Sequence, residues 1–126
     1  MIDYSICGRW ADQVQATFII ESNERPDAEG DGGLAYGPGQ MHPVFFVHYY
    51  GVGKPFAAEM RDSWATAWLK AAANFFELHE DSGMDLCVQA YQLGWHAVLY
   101  DGMRHPERLT RFYDALNSIR SHRSYG

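Results

Sequence analysis

The apolar positions of this chain change period several times, and each change predicts an element. From Val14 to Glu21 the run VQATFIIE is rich in β-branched and aromatic residues, which predicts a strand, and the preceding DYSICGRW supplies a partner strand despite Gly8. The segment between Ser22 and Pro43 is dense in glycine and proline and has neither helical nor strand period, so it reads as a long loop at about 22–43. A connection of that length is either functional or partly disordered. PVFFVHYY, Pro43 to Tyr50, is nearly continuous in apolar and aromatic residues and reads as a strand in the centre of a sheet. After Pro55, apolar residues recur at Phe56, Met60, Trp64, Ala67, Ala71, Phe75 and Leu78, at spacings of three and four, which predicts the longest helix.

The segment MDLCVQAYQL fits either period. Helix is favoured, with Ser82 and Asp85 at capping-box spacing and Gly94 at the C-terminal cap. WHAVLY, Trp95 to Tyr100, reads as a strand ending in an Asp101-Gly102 turn. The last helix runs from Pro106 to about Ser121 with Leu109, Phe112, Leu116 and Ile119 facing inward, and the residues from His122 onward are expected to fray. This order predicts an α+β domain: a small, mostly antiparallel sheet of three to four strands with one long and one or two shorter helices on one face. At 126 residues, with 47% hydrophobic and 21% charged positions, the chain is expected to be a single domain, 1–126, with a buried core.

Charge narrows the class of partner. The formal net charge is -6, which argues against direct nucleic-acid binding as the main activity. It is unevenly distributed: residues 1–103 are acidic, whereas residues 104–126 hold two acids and five arginines. Cys7 and Cys87 are eighty positions apart, without zinc or disulfide spacing. The N-terminus lacks the pattern of a signal peptide, so a cytoplasmic location is expected. No apolar run reaches the length of a membrane span, so no membrane role is expected either.

Asp27, Glu29, Asp31 and Gly32 resemble the opening of a calcium loop, but the closing bidentate position is Pro38. His42, His48, His79, His96, His105 and His122 form no metal-ligand spacing with either cysteine. Gly51-Val52-Gly53-Lys54 falls between a predicted strand and helix but departs from a phosphate loop at His48 and Pro55. No cofactor, metal or catalytic residue is expected. Two acidic clusters remain at element ends: Glu21, Glu24, Asp27, Glu29 and Asp31, and Glu77, Glu80, Asp81 and Asp85. The second sits at a helix C-terminus, where carboxylates oppose the macrodipole, so its charge is expected to serve something other than stability.

Such carboxylates, with Tyr36 and its neighbouring tyrosines as aromatic contacts, suit a basic protein or nucleoprotein partner. The expected function is therefore a non-enzymatic, protein-binding inhibitor that masks a basic nucleic-acid-binding surface. In size, acidity and lack of motifs the chain resembles the small inhibitors made by phages and mobile elements, such as anti-CRISPR proteins, a likeness of type that covers no motif. Two alternatives carry different forecasts. One is a small enzyme or ligand-binding domain in which His48, His96 and Asp101 meet in a pocket beside the long loop; the other is a subunit of a larger assembly. A cavity with converging titratable groups favours the pocket, and a convex acidic face favours the inhibitor.

Overall fold

A computed structural model of the chain describes residues 2–50 and 65–125. Six α-helices make up most of the described residues: α1 (Ala11–Ser22), α2 (Pro43–Tyr50), α3 (Ala65–His79), α4 (Met84–Leu93), α5 (Trp95–Leu99) and α6 (Pro106–Tyr125). The sheet has only two strands of two residues each, β1 (Glu29–Gly30) and β2 (Ala35–Tyr36), paired antiparallel. The expected sheet of three to four strands is thus overturned: all four segments read as strands are helical.

The physical reason differs from one segment to the next. DYSICGRW is a 3-10 helix, Tyr4–Trp10, opened by Asp3, whose carboxylate accepts from the Ser5 amide, and kinked at Gly8, which has a positive φ. VQATFIIE lies within α1, which is buried on two sides. Val14 and Phe18 enter one cluster, with Phe46, Phe75 and Tyr91, while Ala16 enters a second, with Val88, Phe112 and Leu116. A helix packed on two sides loses the one-sided polar stripe that identifies it, and β-branched residues weaken helix propensity only slightly. It ends where Asn23 adopts the left-handed region at φ 56°; the Asn23 and Glu24 amides close back on Ile19 O and Phe18 O. The first of these, from the left-handed residue back four positions, is the bond of an αL cap.

PVFFVHYY forms α2, with Pro43 at the first helical position, where its missing N–H costs nothing. WHAVLY is mostly α5, entered directly from Gly94, which ends α4 at φ 91°. The Asp101-Gly102 turn therefore follows a helix.

Other expectations meet the structure more closely. MDLCVQAYQL is helix α4, although its N-cap is Gly83 and no side chain caps it, so the Ser82 and Asp85 capping box does not form. In α3, Ala67, Ala71 and Phe75 are buried, but Leu78 is exposed. Phe56, Met60 and Trp64, like the Gly51 to Lys54 turn and Pro55, lie outside the described residues. Helix α6 continues beyond Ser121 to Tyr125 rather than fraying, because Arg120 and Arg123 pair with Asp12 of α1.

The glycine-rich segment is a strap packed against the helices. Gly37, Pro38 and Gly39 are all buried. Ser22 Oγ donates to Pro38 O at 2.7 Å, and Tyr91 Oη to Gly39 O at 3.0 Å. A Cβ on Gly39 would stand 2.6 Å from a Phe18 ring carbon, so the residue is glycine for close approach.

Candidate functional site

The acidic residues singled out from sequence have largely found partners inside the chain. Arg108 Nη1 donates to Glu21 at 2.5 Å, with the side chains 2% and 13% exposed. Glu24 accepts from Tyr4 Oη at 2.8 Å and from Gln15 at 3.2 Å. Arg9 bridges Glu77 and Glu80, and Trp10 Nε1 also donates to Glu77, which together hold the Glu77 carboxyl below its ordinary value. Asp85 accepts from Tyr113 Oη at 2.5 Å. Asp31 pairs with His42 at 2.8 Å.

The two clusters meet opposite ends of the N-terminal 3-10 helix, one through Tyr4 and the other through Arg9. Asp27, Glu29 and Asp81 are exposed, and Tyr36 is half-buried against the larger core cluster. The carboxylates at the end of α3 therefore have a structural use that the helix dipole argument alone did not reveal: they anchor Arg9.

A different face of the molecule is left open. Helix α2 is apolar on every side but that of His48. Phe46 is buried and Phe45 and Tyr49 pack on the core, but Val44 is 81% exposed and Val47 38%. Between α2 and the α4–α5 corner runs a groove of about 680 Å³, within the usual size of a binding cavity. Its floor is aromatic. Phe45 packs on Tyr49 at 4.6 Å and on Tyr91 at 4.8 Å between ring centroids, and Phe75 stacks on Trp95 at 6.3 Å. The buried Trp95 Nε1 has no hydrogen-bond partner.

Three histidines line the groove: His42, where the strap ends, His48 on α2 and His96 on α5. His96 Nδ1 lies 3.6 Å from Asp101. The groove thus unites His48 and His96, on helices rather than on the strands expected, whereas Asp101 does not line it and reaches it only through His96. Behind the floor, His79 shares a hydrogen bond of 2.9 Å with Tyr49 Oη and packs on Trp95 at 4.2 Å. Burial, and secondarily the nearby His48, hold the His79 pKa below its ordinary value, so its neutral form is favoured. Val44 and His48 also line an adjoining apolar depression with Pro43 and Val47, so the groove continues onto the outer face of α2.

Sequence reasoning missed this face because PVFFVHYY was assigned to a sheet, where all its side chains would be covered. The signal was present: eight consecutive residues too apolar for a helix with a solvent face. The thiols lie elsewhere in function. Cys7 donates to Leu69 O and Cys87 to His79 O, and burial pushes their pKa values up to about 12 and about 11, so neither supplies a thiolate near neutral pH. Among the described residues no group of three or more histidine, cysteine or acidic side chains is placed to hold a metal. Nor is any helix there long and apolar enough to cross a membrane. No protein-family model, no curated protein and no solved structure matches this chain.

Proposed function

We propose that this protein acts without catalysis, as an inhibitor that binds a partner protein through the face formed by α2 and the α4–α5 corner. An apolar anchor of the partner enters the groove, and basic side chains flanking that anchor meet Asp31 and Asp101. The observation that carries the reading is the outer face of α2, where Val44 is 81% exposed beside an apolar cavity of about 680 Å³. Exposed apolar surface continuous with a groove marks an interaction site, since leaving it in water forfeits about 25 cal/mol for each Å². A small molecule seated in the groove would still leave Val47 and the adjoining depression on α2 uncovered, which favours a protein occupant.

The net charge of -6 favours a basic partner, because like charges are repelled and opposite ones steered during encounter. An acidic chain seated on a basic, nucleic-acid-binding surface would occlude that surface, in keeping with the phage-type inhibitors the chain resembles in size and charge. A second reading has its own support: His42, His48 and His96 converge on the groove, as a binding site for a small polar-tipped aromatic ligand requires.

Site-specific photo-crosslinking tests the first reading. A photoreactive phenylalanine replacing Val44 should capture one partner protein in cells, and the same group at Ser118 on α6 should not. The captured protein, purified, should bind the wild-type chain with an affinity that falls as salt rises. Val44→Glu should weaken that binding at least about tenfold. Identical adducts from both positions, or binding indifferent to Val44→Glu, would overturn the assignment of this face.

A further inference from the structure

A second, polar cavity of about 230 Å³ lies beside the groove and shares His42, Tyr91 and Gln92 with it. Two arginines of α6 line it. Arg108 and Arg111 are three positions apart and so project from the same side of the helix. Arg108 is 1% exposed, an unusual place for a guanidinium. Its Nε donates to Val88 O at 2.7 Å and its Nη1 to Glu21 at 2.5 Å, while Nη2 is buried and has no acceptor. An unsatisfied N–H on a buried cation is costly, and the remaining donors of the fork are shaped to hold an oxyanion.

The charges around the cavity decide which oxyanion. Glu21 is paired with Arg108 and Asp31 is hydrogen-bonded to His42, whereas Arg111 is exposed and pairs with none of the described residues. Two carboxylates and two guanidiniums thus line the cavity, and Arg111 is the guanidinium left without a carboxylate in contact, so a ligand bringing one negative charge meets it at the least electrostatic cost. Gln40 and Gln92, which also line the cavity, add neutral amide groups suited to a ligand atom beside the charge. Tyr91 carries the Arg108 guanidinium over its ring at 5.7 Å and also lines the apolar groove, so the polar and apolar compartments meet at one side chain.

We propose that this cavity is a binding site for a monoanionic carboxylate, held between the guanidiniums of Arg108 and Arg111 that line it, with any apolar body of the ligand directed past Tyr91 toward the groove. The site does not depend on the groove holding a protein partner. A tetrahedral phosphate dianion would bring a second negative charge beside Glu21 and Asp31 without a further cation to offset it.

The probes are sodium benzoate, inorganic phosphate and neutral benzamide, titrated into the isotope-labelled protein while the arginine Nε–H and glutamine side-chain resonances are followed by NMR. Benzoate should shift the Arg108, Arg111 and Gln92 signals saturably, and benzamide should not. Arg108 is buried and its replacement risks unfolding, so the informative variant is the exposed Arg111→Gln. It should keep the wild-type melting temperature and bind benzoate about tenfold more weakly, the loss of one charge-assisted contact. Absence of saturable shifts, equal shifts with benzamide, or affinity unchanged in Arg111→Gln would overturn the site. Tighter binding of phosphate than of benzoate would overturn its assignment to carboxylates.

Discussion

The seam between α1 and α6 and the face between α2 and α4–α5 are both helix-on-helix surfaces, yet they finish their side chains in opposite ways. In the seam, apolar packing of Ala16, Phe112 and Leu116 is flanked by charge that is matched, Glu21 with Arg108 at one end and Asp12 with Arg120 and Arg123 at the other. Arg108, Arg120 and Arg123 of the basic tail are spent there against the acidity of α1. Across the α2 face, aromatic rings pack as densely, but Val44 and Val47 have no covering residue among those described, and the histidines stand at the rim of a cavity. The difference teaches that a charge surplus in sequence does not mark a binding surface by itself. Elements that meet can consume it, and the surface available to a partner is the one where packing stops short.

The sharpest way to break this comparison is at the buried end of the seam. Arg108→Ala leaves Glu21 without its cation and opens space beside Val88, and is expected to cost roughly 3–5 kcal/mol, as when one partner of a buried pair is removed. Urea denaturation measures it. A loss below about 1 kcal/mol would mean that the seam is held by its apolar residues alone.

Gly39→Ala probes the strap that lies between the two regions. The new Cβ would sit 2.6 Å from Phe18 and 2.7 Å from Tyr91 Oη, both of them core positions, so overpacking of about 1–3 kcal/mol is expected from thermal or urea unfolding. An unaltered midpoint would show that the strap can lift away from the core without consequence.

The smallest effect is the one that separates the open face from the seam by pH. His79 behind the groove floor has a depressed pKa in the folded chain, chiefly through burial. The unfolded chain therefore binds more protons than the folded one below the ordinary histidine value of about 6.5. Stability is expected to be undiminished above that pH and to decline as pH falls through it, well before the carboxylates of the seam are protonated. Comparing melting temperatures at pH 7.5 and 5.5 tests this, and His79→Gln should flatten the difference. Equal pH dependence in the variant would assign the effect to another group.

Whether an element was legible in the sequence depended on how many of its sides are buried. Helix α6 presents one apolar stripe, with Phe112 and Leu116 buried and Thr110, Arg111 and Asp114 exposed, and its period of three and four could be read directly. In α3, Ala67, Ala71 and Phe75 carried the same signal. Helices α1 and α2 could not be read that way. The first is packed on both sides, and the second is apolar even where it is exposed, so both present the near-continuous runs that also describe a central strand. Helix α5 has five residues, too few to display a period.

The sites divide along the same line. His48 and His96 were marked as neighbours, and they line one groove, but from two helices. Arg108 counts in the sequence only as one of the five arginines of residues 104–126, although it stands four positions before Phe112, on the inward side of α6, where a charged residue signals a buried partner.

Composition and the helical periods of α3 and α6 were settled by the sequence by itself, because they depend on residue type and local spacing, whereas the segment of α4 fits either period. Tertiary structure alone decided that the remaining segments are helices rather than strands, that Glu21 and Glu77 serve Arg108 and Arg9, and that the face of α2 lies open. The pairings of Glu21 and Glu77 turn on side chains that meet across 67 to 87 positions of chain, the packing of α2 turns on contacts with the distant Phe75 and Tyr91, and no local propensity carries that information.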